Sequence, residues 1–80
     1  MQFYIVYTLK LSNGDFYVGV TGNLKTRVKE HSIGQVDSTR KYLPVSLVSF
    51  TTFTNKKKAL AFEKYLKTGS GIAFRNKHLV

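Results

Sequence analysis

The dipeptide Asn13-Gly14 constrains the fold of this chain more than any other local feature. It separates two runs rich in β-branched and aromatic residues, 2–11 (QFYIVYTLKL) and 15–20 (DFYVGV). An Asn-Gly pair between two such runs is the strongest short-range signal for a β-hairpin. The first twenty residues therefore predict two antiparallel strands joined by a tight turn.

A helix is predicted directly after the hairpin. Asn23 can cap a helix over residues 24–32 (LKTRVKEHS), and Gly34 is placed to end it. Residues 34–44 then form a polar loop that ends at a proline. This segment predicts one amphipathic helix followed by a loop on the surface.

The second half of the chain predicts one more strand and two helices. Residues 45–53 (VSLVSFTTF) have the composition of a third strand. Asn55 can cap a second helix that ends at Gly69, and residues 70–78 predict a short last helix. The order β-β-α-β-α-α predicts an α+β domain over residues 1–80, with a small three-stranded antiparallel sheet flanked by two to three helices.

The charge balance predicts a polyanionic partner. Thirteen Lys and Arg residues against four Asp and Glu residues give a formal net charge of +9, which favours nucleic acid as the partner. No apolar run approaches the roughly 18 residues of a membrane span, and no export signal is evident, so we expect a cytoplasmic protein without a membrane partner. The absence of cysteine excludes disulfides, thiolate metal sites and a cysteine nucleophile.

Two polar side chains of the first helix fall beside its apolar residues. At about 100° per residue, Arg27 and His31 lie one turn apart, next to Leu24 and Val28 and away from the charged arc. A snorkelling arginine and a half-buried, hydrogen-bonded histidine would explain this placement. The pattern alone favours this structural explanation over the alternative, a pair of functional residues.

The second helix shows the same anomaly with the opposite charge. Glu63 falls within the arc of Ala59, Phe62 and Leu66. An ionised carboxylate in a core is destabilising unless a cation or a metal compensates it. Two explanations stay open: an ion pair between Glu63 and Arg27, or a lone carboxylate that holds one divalent cation with water in its other positions.

The type of hairpin decides whether Tyr7 and Tyr17 can act together. A two-residue Asn-Gly loop would put the two tyrosines on opposite faces of the sheet, because side chains alternate along a strand. A three-residue loop with a bulge at Gly14 shifts the register by one residue and brings both phenols to the same face. Ordinary packing of strand aromatics is the alternative role for both.

The residues identified above follow a characteristic order along the chain, namely Ile5-Val6-Tyr7, Tyr17-Val18-Gly19, Arg27-x-x-x-His31 and a helical Glu63. In this order the sequence resembles the GIY-YIG nuclease family over nearly its whole length. It is similar in particular to the small, free-standing bacterial members, and also to the N-terminal nuclease module of the excision-repair nuclease C subunit. The combination of motifs is far more specific than either tripeptide alone.

The resemblance implies hydrolysis of phosphodiester bonds in nucleic acid, with DNA as the expected substrate and one Mg²⁺ or Mn²⁺ ion as cofactor. By analogy, Tyr17 would be the base that deprotonates the attacking water, directly or through a network. Tyr7 would orient that water or share the role. Arg27 would hold the scissile phosphate, His31 would assist proton movement, and Glu63 would hold the metal.

Three positions depart from the family pattern or match it loosely. The first motif lacks its leading glycine, which is a common variation. Val20 stands where several relatives have a lysine or a hydroxyl residue, so a phosphate contact is in doubt there. Some relatives have a late asparagine near the site, for which Asn76 is the nearest candidate. A solvent-facing asparagine on the last helix is the alternative.

Six further basic residues predict a nucleic-acid-binding surface: Arg40, Lys41, Lys56, Lys57, Lys67 and Arg75. Phosphate contacts of this kind give affinity without sequence preference. We therefore expect a protein partner, an oligomer or the shape of the nucleic acid to supply specificity. A noncatalytic basic nucleic-acid-binding module on the same scaffold is the alternative function.

Overall fold

An antiparallel three-stranded sheet in the order β2-β1-β3 is the centre of the structure. The computed structural model describes residues 2–80, and its elements are β1 (Tyr4–Lys10), β2 (Phe16–Thr21), α1 (Leu24–Ser32), β3 (Ser46–Phe53), α2 (Lys56–Leu66) and α3 (Gly69–His78). A single 3-10 turn, Arg40–Tyr42, lies in the loop between α1 and β3. The predicted α+β class and the order β-β-α-β-α-α are confirmed.

Both predicted asparagine caps are present at the helix starts. The Asn23 side-chain oxygen accepts a hydrogen bond from the backbone N–H of Thr26 at 3.1 Å. The Asn55 oxygen accepts one from Lys58 at the same distance. Each cap satisfies a backbone donor that the first helical turn leaves free. Gly34 follows the end of α1 with φ of +82°, as the predicted stop requires.

The junction between α2 and α3 differs from the prediction. The second helix ends at Leu66, and Gly69 is the first residue of α3 instead of the end of α2. The Thr68 hydroxyl causes the break, because it donates to the Tyr65 carbonyl at 2.7 Å and accepts from the Gly71 N–H at 3.2 Å. One side chain thus closes one helix and caps the next.

The hairpin between β1 and β2 has a three-residue loop with a bulge. The Leu11 N–H donates to the Asp15 carbonyl at 2.8 Å, and the Gly14 N–H donates to the Leu11 carbonyl at 3.0 Å. Gly14 has φ of +89°, a conformation that costs glycine nothing. Of the two hairpins that the sequence left open, the bulged one is present.

This register places Tyr7 and Tyr17 on the same face of the sheet. Tyr7 is paired with Gly19, and Leu9 is paired with Tyr17. Paired residues share a face, and so do residues two apart on one strand. The two tyrosine ring centroids are 6.3 Å apart.

The two faces of the sheet pack against different helices. On one face Val6 and Val18 form the hydrophobic core with Ala59 and Leu66, and each of these four side chains is at most 5% exposed. On the other face the two tyrosines contact His31 of α1. The sheet therefore lies between α1 and the α2–α3 pair. Within residues 2–80, no helix is long and apolar enough to cross a membrane.

Candidate active site

Three buried polar side chains form a continuous chain of hydrogen bonds beneath α1. The Tyr7 hydroxyl oxygen is 2.8 Å from Nε2 of His31, and Nδ1 of His31 is 2.7 Å from Oγ1 of Thr39. The Thr39 hydroxyl donates in turn to the carbonyl of Val36, at 3.5 Å. Tyr7, His31 and Thr39 are each at most 1% exposed, so these contacts replace water as their hydrogen-bond partners.

The distances on either side of the His31 ring suit either neutral tautomer. In the tautomer protonated at Nδ1, the Thr39 oxygen accepts from Nδ1–H at 2.7 Å, and the Thr39 hydroxyl points to the Val36 carbonyl at 3.5 Å. Nε2 is then unprotonated and accepts the hydroxyl proton of Tyr7. The buried imidazole therefore presents its free lone pair to the phenol.

Burial keeps both ends of this pair neutral. Burial lowers the pKa of His31, and the positive charge of Arg27 lowers it further, while Glu30 has the opposite effect. Burial raises the pKa of Tyr7, against a lowering by hydrogen bonding to Arg27, and the negative charge of Glu63 contributes to the rise. At neutral pH the site therefore holds a neutral phenol and a neutral imidazole.

Arg27 connects this buried pair to the surface. Its pKa is raised chiefly by hydrogen bonding to the Tyr7 phenol and also by Glu30. Its Nη1 is 3.2 Å from Oε1 of Glu30, and its side chain is 37% exposed. A guanidinium that influences the pKa of a buried phenol and still reaches solvent can offer its remaining donors to a phosphate.

Gly19 allows Tyr7 to reach the histidine. A Cβ atom at position 19 would lie 2.5 Å from the Tyr7 hydroxyl oxygen and 2.7 Å from the adjacent ring carbon. The tyrosine ring thus lies directly across the backbone of β2. The ring centroid of Tyr17 is 5.1 Å from that of His31. Tyr7, Tyr17 and His31 together are called the tyrosine group below.

Glu63 lies in α2, and its ion pair is not the one considered from sequence. Its Oε2 is 3.3 Å from Nζ of Lys67, one turn later, whereas Arg27 pairs with Glu30. Of the two explanations left open for Glu63, the ion pair with Arg27 is therefore not present. The two helices lie on opposite faces of the sheet, and each of the two residues finds a partner within its own helix.

The residues present fit a metal ion that keeps most of its water ligands. Within residues 2–80, no group of three or more histidine or acidic side chains could hold a metal. Glu63 would have to act alone, and its side chain is 25% exposed while its partner Lys67 is 55% exposed. A single accessible carboxylate suits Mg²⁺, which is commonly held by one or two carboxylates, water and substrate phosphates.

Two residues left in doubt by the sequence lie away from the hydrogen-bonded chain. Val20 packs against the hydrophobic core, on the face opposite Tyr7 and Tyr17, so a longer side chain at that position would not point into this site. Asn76 is exposed on α3, and its side-chain oxygen accepts a hydrogen bond from Arg75 at 3.2 Å. Asn76 is therefore a hydrogen-bond partner of Arg75.

The predicted basic residues are spread over three parts of the structure. Arg40 and Lys41 lie in the 3-10 turn, and Lys56 and Lys57 begin α2. The remaining two, Lys67 and Arg75, line the same pocket as Tyr17. Only this last pair is brought next to a residue of the tyrosine group.

Thr39 has no counterpart among the residues predicted from sequence. It lies in the loop that the sequence marks as polar and exposed, yet it is completely buried. A buried histidine needs partners for both ring nitrogens, and the hydroxyl residues of the loop directly after α1 are within reach. That requirement is the signal that could have found it.

Comparison with known proteins identifies relatives over most of the chain. The model of the GIY-YIG catalytic domain matches residues 3–74. A UPF0213 protein of Clostridium perfringens is 43% identical over 63 residues, which cover 78% of this chain and 68% of the relative. A UPF0213 protein of Haloquadratum walsbyi is 34% identical over 68 residues, which cover 84% of this chain and 76% of the relative. The solution NMR structure of a UPF0213 protein from Bacillus halodurans matches with a TM-score of 0.61 and 27% identity, covering 94% of this chain and 83% of that one.

Proposed function

Because the chain belongs to the GIY-YIG family, we propose that it is a metal-dependent endonuclease that hydrolyses phosphodiester bonds of nucleic acid, with DNA as its substrate. The observation that carries this proposal is the buried Tyr7–His31–Thr39 chain, which lies beside Tyr17 and Arg27. It positions the partly exposed hydroxyl group of Tyr17 and the partly exposed guanidinium of Arg27, a cation that can bind phosphate. Hydrolysis of a phosphodiester needs both groups in one place.

In the proposed mechanism, Arg27 binds the oxygens of the scissile phosphate and lowers the energy of the charge that develops there. A water molecule beside Tyr17 attacks the phosphorus atom, and the bond to the leaving oxygen breaks. Tyr17, which is partly exposed, accepts the proton of this water while its own hydroxyl proton passes to solvent, and the leaving oxygen takes a proton from solvent. The buried Tyr7–His31 pair positions Tyr17 and Arg27, so Tyr17 keeps the role that the family resemblance gives to it.

Glu63 is the proposed ligand of the divalent cation. When bound, such an ion would stabilise negative charge on the leaving oxygen. The carboxylate acts on the tyrosine group as well, because its negative charge contributes to the raised pKa of Tyr7. A Glu63 side chain that is freed from Lys67 can turn to the ion without disturbing the core, since both side chains are partly exposed.

The test is cleavage of a panel of labelled substrates: linear duplex, nicked, branched and single-stranded DNA, and RNA. Each is incubated with Mg²⁺, Mn²⁺ or EDTA, with wild-type protein and with Glu63→Gln. Asp37→Asn is the matched control, because it removes another carboxylate whose side chain is 91% exposed. We expect metal-dependent cleavage by the wild type and the control, and none by Glu63→Gln or in EDTA.

The alternative function predicts a different result in the same experiment. Salt-sensitive binding to these substrates without cleavage, unchanged by Glu63→Gln, would overturn the nuclease proposal and support the noncatalytic binding module. Folding of each variant is checked by circular dichroism. Glu63 would then have a structural role only, in its ion pair with Lys67.

A further inference from the structure

A pocket at the outer edge of β2 adjoins the tyrosine group. Its volume is about 280 Å³, and it is lined by Phe16, Tyr17 and Val18 of β2, by Leu66 and Lys67 at the end of α2, and by Ile72 and Arg75 of α3. Tyr17 is shared between the pocket and the proposed active site. A group bound in the pocket would therefore contact one residue of the proposed active site.

The walls of the pocket combine an apolar floor with a positively charged rim. Val18 and Leu66 are only 5% and 1% exposed. They belong to the hydrophobic core, so they form a rigid apolar floor. The Arg75 guanidinium lies over the ring of Phe16, 4.7 Å from its centroid, and Lys67 is exposed at the other side. This combination suits a flat apolar ring that is covalently attached to an anion.

We propose that this pocket binds the base of one unpaired nucleotide next to the scissile phosphate. The preferred substrate is then a nucleic acid with a single-stranded or extrahelical nucleotide at the cleavage site. Bases stack readily on aromatic rings and on arginine planes. A paired base inside a duplex reaches such a pocket only after extrusion, which costs least where the base is already unpaired.

The position of the pocket links this proposal to the chemistry. Lys67 lines the pocket and also pairs with Glu63 at 3.3 Å, while Tyr17 lines it beside Tyr7. A base in the pocket would place its own phosphate near Tyr17 and Lys67. The pocket proposal therefore rests on the proposed function, which supplies the binding site of the scissile phosphate. It adds the class of substrate.

Charge argues against a second copy of this chain as the occupant. Each copy has a formal net charge of +9, and the rim of the pocket is itself positive because of Lys67 and Arg75. Like charges at close range disfavour such a contact. A nucleotide brings an aromatic ring and a negative charge together, so it matches both the floor and the rim.

The test measures binding in EDTA with the Glu63→Gln variant, so that no cleavage occurs. Two duplexes of the same sequence are compared, one fully paired and one with a single extrahelical 2-aminopurine, whose fluorescence reports stacking. We expect about tenfold tighter binding to the second duplex, the order of affinity that one stacked base contributes, together with a change in fluorescence. Arg75→Ala and Ile72→Glu, added to this background, should remove that preference.

Lys64→Ala is the matched control, because it removes one positive charge from an exposed position of α2 outside the pocket. It should keep the preference for the extrahelical base. Ile72 is 38% exposed, so a glutamate there is compatible with folding, and Arg75→Ala decides the result if that variant does not fold.

Equal affinity for the two duplexes, or a preference that survives Arg75→Ala, would overturn the pocket proposal alone. Metal-dependent cleavage without any preference would leave the nuclease proposal in place and reject the pocket. Failure to bind either duplex would also overturn the pocket proposal, and the substrate panel with metal would then decide the nuclease proposal separately.

Discussion

At the scale of single residues, Thr39 is the least conspicuous part of the site, and it is the partner of the second ring nitrogen of His31. Only a ring nitrogen without a proton can accept from Tyr7. When Nδ1 carries the proton, the Thr39 oxygen, 2.7 Å away, accepts it. A loop hydroxyl thereby stabilises the tautomer in which Tyr7 donates to Nε2.

Replacing Thr39 with valine should disturb the tautomer of His31 and lower activity, whereas serine should preserve both. Valine has a similar shape but leaves Nδ1–H without a partner, which costs about 1–3 kcal/mol for a buried group. Thr39→Ser keeps the hydroxyl and loses one methyl group, which costs about 0.8 kcal/mol. Two-dimensional ¹H–¹⁵N spectra of the imidazole measure the tautomer directly. A Thr39→Val protein whose His31 stays protonated at Nδ1 alone would contradict this role for Thr39.

The lowered pKa of His31 predicts a loss of stability in mild acid. In the unfolded chain this histidine takes up a proton near its ordinary pKa of about 6.5, while the folded protein still excludes it. Unfolding is therefore favoured as the pH falls below that value, until the lower folded pKa is reached. Cleavage should fall in the same direction, because a protonated Nε2 cannot accept from Tyr7.

Urea unfolding at a series of pH values checks this dependence. His31→Gln should flatten the dependence below about pH 6.5, and His78→Gln, at an exposed position of α3, should retain it. A wild-type stability that stays constant over this range would show that His31 titrates alike in the folded and unfolded states.

At the scale of elements, the hairpin decides whether a site can form at all. With a two-residue turn, Tyr17 would face the hydrophobic core and the apolar residues of β2 would face α1. The bulged loop places Tyr7 and Tyr17 together and leaves Val18 and Val20 in the core. The local turn geometry and the burial of valines thus favour the same register.

Gly14 should therefore be sensitive to substitution for a reason unrelated to packing. No atom lies within 4 Å of a Cβ built at this position, and φ is +89°, so the cost of Gly14→Ala is the backbone strain alone. That cost is about 1–2 kcal/mol for a residue with a Cβ in this region, and Gly14→Asn should cost less. Urea unfolding measures both, with Ser12→Ala as the control in the same loop. An alanine variant as stable as the wild type would mean that the loop adopts another turn type.

The elements themselves could be predicted from sequence because their signals are local. Asn23 and Asn55 cap helices, and strand composition marks the three strands, with no contribution from distant residues. The break at Thr68 escaped prediction because the stretch around Gly69 was assigned as a helix end, although a hydroxyl at that point serves two helices at once. The burial of Thr39 escaped it as well, since it depends on which elements pack together. The partners of Arg27 and Glu63 are local, three and four residues along the same helix, and helical spacing could have indicated them.

At the scale of the whole molecule, the net charge of +9 includes exposed lysines that do not stabilise the fold. Lys56 and Lys57 are both exposed at the start of α2. The N-terminus of a helix carries partial positive charge, so lysines there are unfavourable for the helix. A role in binding phosphates offers a reason for their presence that folding does not.

The double variant Lys56→Ala/Lys57→Ala should therefore separate binding from stability. If both lysines contact phosphates, the plot of log binding constant against log salt concentration should lose about one unit of slope per lysine, uniformly across DNA sequences. The free energy of unfolding should stay the same or rise slightly, because two charges that oppose the helix dipole are removed. Fluorescence titrations at several salt concentrations and urea unfolding measure the two effects independently, with Lys25→Ala/Lys29→Ala on the exposed side of α1 as the matched control. An unchanged slope would mean that these lysines are solvated surface charges that do not contact phosphates, and that the remaining basic residues provide the affinity.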